Sequence, residues 1–138
     1  MKNEQYIVWN DANLLGVSIL DEQHRGIVSA INSFYYFVHN DKGKQVLAST
    51  LNILEQYTYI HFITEEALIK AAGYKDFDKH VEMHARLFKQ TKKIVRELSS
   101  DYDVSMEALA FLKEWWLLHI NQEDRKYAPA MHGYLPRV

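Results

Sequence analysis

The fold of this chain can be predicted from one segment, Tyr57-Thr-Tyr-Ile-His61-Phe-Ile-Thr-Glu65-Glu66, read together with Asp78-Lys-His80-Val-Glu-Met-His84. His61 and Glu65 are four residues apart, and so are His80 and His84. On an α-helix, a step of four residues turns about 40° past a full circle, so each pair projects from one helix face. Two such helices side by side would bring three imidazoles and one carboxylate to a common centre.

The apolar pattern of the whole chain predicts four long helices. Apolar residues recur every three or four positions, as expected for helices that each bury one face. Five glycines and two prolines are the only strong helix breakers. The predicted helices cover residues 18–40, 44–72, 77–98 and 104–127. Because the connections between them are short, we predict an all-α fold, an up-down-up-down four-helix bundle.

Local signals predict where these helices begin and end. Ser18 and Asp21 resemble a capping box at the start of the first helix. Gly73 is placed to end the second helix, and Asp76 to cap the third. Pro129 is expected to stop the fourth.

We expect one domain, with residues 1–17 as an N-terminal arm, 18–128 as the bundle and 129–138 as a tail. A chain of 138 residues with 48% apolar residues can bury a sizeable core. Trp9, Leu14 and Leu15 are predicted to pack the arm across the bundle.

Composition excludes several classes of function. The formal net charge of −2 provides no basic surface for nucleic acid. The chain has no cysteine, so any metal must be held by nitrogen and oxygen. No apolar run is long enough to span a membrane, and no signal-peptide pattern is present at the start. We therefore expect a cytoplasmic location.

Seven side chains can be placed facing inward from the four predicted helices: His24, His61, Glu65, His80, His84, His119 and Asp124. Burying the two carboxylates among apolar side chains would cost several kcal/mol unless a cation satisfied them. Five neutral imidazoles and two carboxylates suit a pair of borderline divalent metal ions, because each carboxylate can bridge. The pattern predicts a metal site, and favours a site for two ions.

Two other metal sites and one ordinary interpretation remain open at this point. A single zinc ion needs only three or four ligands, which leaves the other side chains unexplained. Ferritin-like di-iron sites contain more carboxylates than histidines, the reverse of this balance. A lone buried histidine is more often a hydrogen-bonded core residue, which is how His39 and His132 are interpreted. Glu66 and Glu82 are expected to face solvent.

The motifs together resemble the hemerythrin family, in particular its bacterial members. They are Asp21-Glu-Gln-His24, His61-Phe-Ile-Thr-Glu65-Glu66, His80-Val-Glu-Met-His84 and Trp116-Leu-Leu-His119-Ile-Asn-Gln-Glu-Asp124. The resemblance implies two iron ions bridged by an oxo or hydroxo group and by two carboxylates, Glu65 and Asp124. It implies that one ion is held by three histidines, His80, His84 and His119. The other would be held by two, His24 and His61.

This inequality implies an open position for molecular oxygen on the iron held by His24 and His61. Neighbours of the ligands along the helices are expected to line the oxygen pocket: Leu20, Ile27, Ile31, Phe62, Trp116 and Ile120. No obvious acid, base or substrate-binding group lies among them, so binding is favoured over catalysis. An oxygen carrier or store leads, ahead of a sensor that signals to a protein partner. A peroxidase, oxidase or nitric-oxide reductase is the third alternative.

The spacing of the last two predicted ligands is unusual. His119 and Asp124 are five residues apart, a step that turns about 140° past a full circle on a regular α-helix. A regular helix would therefore aim the Asp124 carboxylate away from the site. We predict that the helix widens to a π-type turn, or ends, between these two residues.

Overall fold

The computed structural model describes residues 6–40, 44–99, 105–115, 119 and 122–134. Its first four helices are α1 (Ser18–His39), α2 (Lys44–Ala71), α3 (Phe77–Ser99) and α4 (Ser105–Trp115). α1 contacts α2 and α4, and α3 contacts the same two helices, so each lies between two neighbours. This arrangement confirms the predicted all-α, up-down-up-down four-helix bundle.

α2 ends at a glycine as predicted, whereas α1 does not begin with the predicted capping box. Gly73 has φ of +73°, and Tyr74 N–H donates to the Ile69 carbonyl at 3.0 Å, which closes the helix end. At α1, Val17 is the capping residue and makes no side-chain cap. The Asp21 carboxylate instead accepts from the N–H groups of Leu15 and Gly16, at 2.7 and 3.1 Å. The capping-box prediction is wrong because the Asp21 carboxylate accepts hydrogen bonds from the backbone of the arm instead of capping the helix.

The fourth helical segment departs from a regular α-helix, as its ligand spacing predicts. α4 is described as far as Trp115, and after it the described residues His119, Gln122 and Glu123 are in π conformation. A 3₁₀ helix, Asp124–Tyr127, follows. The predicted widening before Asp124 is confirmed. The predicted start of this helix, Val104, lies outside the described residues.

Pro129 does not stop the chain from being helical, so that prediction is wrong. It is the second residue of a further helix, α5 (Ala128–Tyr134). In the first turn of a helix, the N–H that proline lacks has no intrahelical partner to lose. α5 packs its fully buried Met131 against the arm and α2.

The buried apolar residues form two clusters, and the polar residues of the candidate site lie at the level between them. The larger cluster contains Ile27, Ile31 and Phe62, with partly buried Trp9 packed against it. The smaller cluster contains Leu15, Val17, Leu20, Ile69, Tyr127, Ala128 and Met131. Trp9 and Leu15 thus pack as predicted, but Leu14 is 44% exposed, which corrects that part of the prediction.

The Tyr57 side chain of α2 packs over a glycine of α1. A Cβ atom at Gly26 would lie 2.4 Å from the Tyr57 hydroxyl, so any side chain there would displace the tyrosine ring. Within the described ranges, no helix is both long and apolar enough to cross a membrane.

Candidate metal centre

The structure brings all seven predicted side chains together in the middle of the bundle. α1 contributes His24, α2 contributes His61 and Glu65, and α3 contributes His80 and His84. The π and 3₁₀ turns after α4 contribute His119 and Asp124. Each of the seven is at most 3% exposed. Their donor atoms form two groups that share Glu65 and Asp124, and within each group all donor atoms lie within 4.8 Å of one another.

The two-histidine group consists of His24 and His61 with one oxygen of each carboxylate. The two Nε2 atoms are 3.0 Å apart. Nε2 of His61 lies 3.0 Å from Glu65 Oε2, and Nε2 of His24 lies 3.1 Å from Asp124 Oδ2.

The three-histidine group consists of His80, His84 and His119 with the other carboxylate oxygens. Glu65 Oε1 is 2.5 Å from Nε2 of His80 and 3.0 Å from Nε2 of His84. Asp124 Oδ1 is 3.0 Å from Nε2 of His80 and 3.2 Å from Nε2 of His119. Both carboxylates therefore divide their two oxygens between the two groups, the arrangement by which a carboxylate bridges two ions.

In two of these rings, Nδ1, the nitrogen that faces away from the centre, meets an oxygen acceptor. Nδ1 of His61 lies 3.0 Å from the Gln23 amide oxygen, and Nδ1 of His84 lies 2.8 Å from the Glu66 carboxylate. Glu66 was expected to face solvent, which is wrong: its partner, His84, comes from the neighbouring helix α3, which the periodicity of α2 alone does not reveal. Since a carboxylate can only accept, Nδ1 of His84 carries the hydrogen, and its Nε2 presents a lone pair inward.

The inward nitrogen and oxygen atoms of these seven side chains suit the coordination of metal ions. Wherever a ring has no inner proton, its Nε2 lone pair faces other lone pairs and anionic oxygens, a repulsive arrangement that protons relieve in the metal-free centre and that metal ions would reverse. Asp124 Oδ1 is fully buried, yet it makes no hydrogen bond of acceptable geometry within the part of the chain that is described. An oxygen in that position is suited to coordinate a cation. Nitrogen and oxygen donors in this proportion suit a borderline divalent metal such as iron or zinc.

The ionisable groups of the centre affect one another strongly. Burial disfavours a charge on His61, but attraction to the carboxylates of Glu65, 3.0 Å away, and Asp124, 3.8 Å away, raises its pKa to about 9. Burial likewise opposes a charge on His80, but its close contacts with the carboxylates of Asp124 and Glu65 raise its pKa to about 10. Burial lowers the pKa of His119 to about 4.

Both carboxylates stay ionised despite full burial. Burial alone would raise the pKa of Glu65, but the charge of His61 and hydrogen bonds from His24, His61 and His80 hold it well below its ordinary value. The pKa of Asp124 is also lowered, because His119 and hydrogen bonds from two other histidines outweigh burial and the repulsion of Glu65. The centre therefore offers two negative charges to cations.

Tyr127 contacts the centre, which the sequence analysis did not predict. Its hydroxyl donates to Glu65 Oε2 at 2.9 Å, and its side chain is fully buried. Burial and the nearby charges of Asp124 and Glu65 raise its pKa well above 10, so it stays protonated. Only its position three residues after Asp124 could have indicated it, because in a tight helical turn that residue lies on the same face.

The predicted pocket-lining residues divide between the two apolar clusters. Leu20, Ile27 and Ile31 are fully buried, with Leu20 in the smaller cluster and the two isoleucines in the larger. Phe62 stacks on the His84 ring with centroids 3.8 Å apart, so it lies against the three-histidine group. Trp116 and Ile120 lie outside the described residues. Whether these side chains line an oxygen pocket stays a prediction.

The two histidines assigned to ordinary roles lie away from the centre. The His39 ring packs on Tyr35, with centroids 4.4 Å apart. His132 Nε2 lies 2.7 Å from the Leu15 carbonyl, where it ties α5 to the arm.

The model of the family described as "Hemerythrin HHE cation binding domain" matches residues 15–131. The chain belongs to the hemerythrin family. A bacteriohemerythrin from Stenotrophomonas maltophilia is 26% identical over 129 residues, which cover 94% of this chain and 84% of that relative. A bacteriohemerythrin from Clostridium acetobutylicum is 29% identical over 126 residues, covering 87% of this chain and 97% of the relative.

The fold is also that of solved hemerythrins. A crystal structure of wild-type hemerythrin matches with a TM-score of 0.84 at 23% identity, covering 91% of this chain and 98% of that one. The hemerythrin domain match begins at Leu15, near the end of the arm, and ends at Met131 within α5, so it spans the whole bundle.

Proposed function

We propose that this hemerythrin-family protein holds two iron ions and binds molecular oxygen reversibly, as a carrier or store, or to deliver oxygen to another protein. One contact pattern supports two ions in preference to one. Glu65 and Asp124 each direct one oxygen to the two-histidine group and the other to the three-histidine group. A single zinc ion would leave one of the two groups without a cation.

The residues have distinct parts in this proposal. His80, His84 and His119 would hold one ion, His24 and His61 would hold the other, and both carboxylates would bridge. When bound, two ferrous ions supply the electrons on which reversible oxygen binding depends. His24, His61 and the two carboxylates would offer an ion one fewer protein donor than the other group does, so an external ligand could bind on that side.

The surroundings of the centre favour binding over catalysis. Ile27, Ile31 and Phe62 belong to the dry apolar cluster on one side, and Leu20 belongs to the cluster on the other. Tyr127 already donates its proton to Glu65, and its raised pKa makes it a poor acid. A bound ligand would therefore meet little that could protonate it, which favours its release unchanged.

The test is a cycle of oxygen binding and removal. The iron-loaded protein is reduced without oxygen, exposed to oxygen, and then stripped of the gas promptly, with absorption spectra recorded at each step. Return of the ferrous spectrum without added reductant, over repeated cycles, is the expected result. Immediate conversion to ferric protein with stoichiometric release of peroxide would refute the proposal and favour an enzyme.

A further inference from the structure

Three histidines of the centre, His61, His84 and His119, each make an outer hydrogen bond, through the Nδ1 atom that faces away from the centre. The acceptors of these three bonds differ in strength. His61 faces an amide oxygen and His84 faces a carboxylate, both good acceptors. Nδ1 of His119 instead lies 3.0 Å from Sδ of Met83. A thioether carries no hydrogen, so His119 must be the donor, and sulfur is a weak acceptor. The three-histidine group thus contains one ring whose outer hydrogen bond can still be strengthened.

Met83 is also within reach of small molecules. It is half-buried and lines a groove of about 370 Å³ between α3 and α4. The groove is also lined by Leu87, Phe111, Trp115 and His119, among others. Since a water molecule occupies about 30 Å³ in the liquid, the groove has room for a molecule as small as hydrogen peroxide.

We propose that Met83 is an oxidation site for hydrogen peroxide, and that its oxidation tunes the iron centre through His119. This inference rests on the proposed di-iron function. A lone pair of Sδ attacks one peroxide oxygen, the O–O bond breaks, and an S–O bond forms. The sulfur is oxidised by two electrons, and the second oxygen leaves as water after taking up the proton. The product is methionine sulfoxide, which reductases for that modification return to methionine.

Oxidation bonds a strong acceptor, an oxygen, to the weakly accepting sulfur beside His119, and the flexible methionine side chain can turn this oxygen toward Nδ1. The sulfoxide oxygen accepts the His119 Nδ1–H more strongly than the thioether sulfur does. A stronger outer hydrogen bond makes a ligand imidazole a better electron donor to its metal. Better donation stabilises the ferric ion, so the reduction potential of the centre falls. The protein would then bind less oxygen when peroxide accumulates, because less of it is ferrous.

The other methionines with described side chains provide internal references. Met131 is fully buried, and Met106 is 62% exposed on α4. Exposure alone would make Met106 react first. Neither contributes to the groove or contacts a histidine of the centre. Only oxidation at Met83 is expected to change the spectroscopic properties of the iron.

The experiment combines peptide mapping with a redox titration of the iron-loaded protein. Iron content is measured first, and the protein is then treated with a small excess of hydrogen peroxide. Mass spectrometry measures sulfoxide at each methionine, and the midpoint potential is followed by absorption. We expect sulfoxide at Met83, none at Met131, and a downward shift in midpoint potential. Methionine sulfoxide reductase should reverse the shift.

Two variants separate tuning from a structural role. Met83→Leu keeps the volume but cannot be oxidised, so peroxide should leave its midpoint potential unchanged. Met83→Gln supplies an amide oxygen and should have a lowered potential before any peroxide is added. An unmodified Met83 in protein with oxidised Met106 would overturn the inference, as would equal peroxide shifts in wild type and Met83→Leu. Iron content near zero would overturn the proposed function itself, which is a distinguishable failure.

Discussion

The two histidine groups of the centre are built from different kinds of backbone. The two-histidine group takes His24 and His61 from the regular helices α1 and α2. The three-histidine group takes His80 and His84 from one regular face of α3, but His119 from a π turn. Regular helices place ligands four residues apart on one face. Distortion of the last helix is needed to bring His119 and Asp124, five residues apart, to the same point.

This difference explains how one bundle can produce two unequal metal sites. Glu65 and Asp124 serve both groups, so the inequality comes from the histidines alone. The regular part of the fold contributes four of them, and the distorted segment adds the fifth to one side only. The inequality of the two groups can be tested by removing a carboxylate that both groups share, or by changing the residues of one group at a time.

The largest effect is expected from removing a shared carboxylate. Asp124→Ala should abolish binding of both ions, because each group loses an anionic oxygen and the remaining imidazoles face each other with less neutralising charge. Iron analysis of the purified variant measures this, with exposed Glu82→Ala as the control. Retention of two irons in Asp124→Ala would contradict the bridging role.

Removing one histidine should affect the two groups unequally. His61→Ala leaves the two-histidine group with His24 alone, so oxygen binding should be lost and iron content should fall to about half. Iron analysis and the oxygenation spectrum are the readouts. Normal oxygen binding by His61→Ala would mean that the two-histidine group is not the place where oxygen binds.

A smaller effect is expected from the outer hydrogen bond of the three-histidine group. Glu66→Ala removes the acceptor for His84 Nδ1–H while leaving every proposed ligand in place. Loss of such a partner typically weakens metal affinity ~10- to 100-fold. Competition with a chelator measures the affinity, and Glu82→Ala is again a matched control. An unchanged affinity would show that the Glu66 contact does not orient the ring.

The protons released on metal binding test both groups without any mutation. In protein freed of metal by a chelator, the raised pKa values of His61 and His80, about 9 and about 10, keep both charged at pH 7. One of these charges belongs to each group. Metal binding must displace them, so about two protons per chain should be released at pH 7. Calorimetry in buffers of different ionisation enthalpy counts them, and the count should fall as the pH rises through 9 and then 10. No release at pH 7 would contradict the assigned charges.

The smallest effects are expected outside both groups. His39→Ala should leave iron content and oxygen binding almost unchanged. His132→Ala removes the contact with the Leu15 carbonyl and should lower the free energy of unfolding by about 1 kcal/mol. Chemical denaturation measures that change. Loss of iron from His132→Ala would show that the arm and α5 help to position the centre.

The sequence predicted the features that depend on helix periodicity alone. Four-residue spacings placed His61 with Glu65 and His80 with His84, and the five-residue step after His119 predicted the π turn. Contacts between elements were harder to predict. Asp21 was misassigned because its partners lie in the arm, and Glu66 because its partner is on the next helix. Periodicity gives the direction of a side chain but not what a neighbouring element places there.

The most direct test of two unequal iron ions is anomalous diffraction from crystals of the iron-loaded protein, recorded on both sides of the iron absorption edge. We expect two iron peaks, one beside His24 and His61 and the other beside His80, His84 and His119, with both carboxylates reaching both peaks. A single peak, or density that lacks the iron edge, would contradict the proposed di-iron centre.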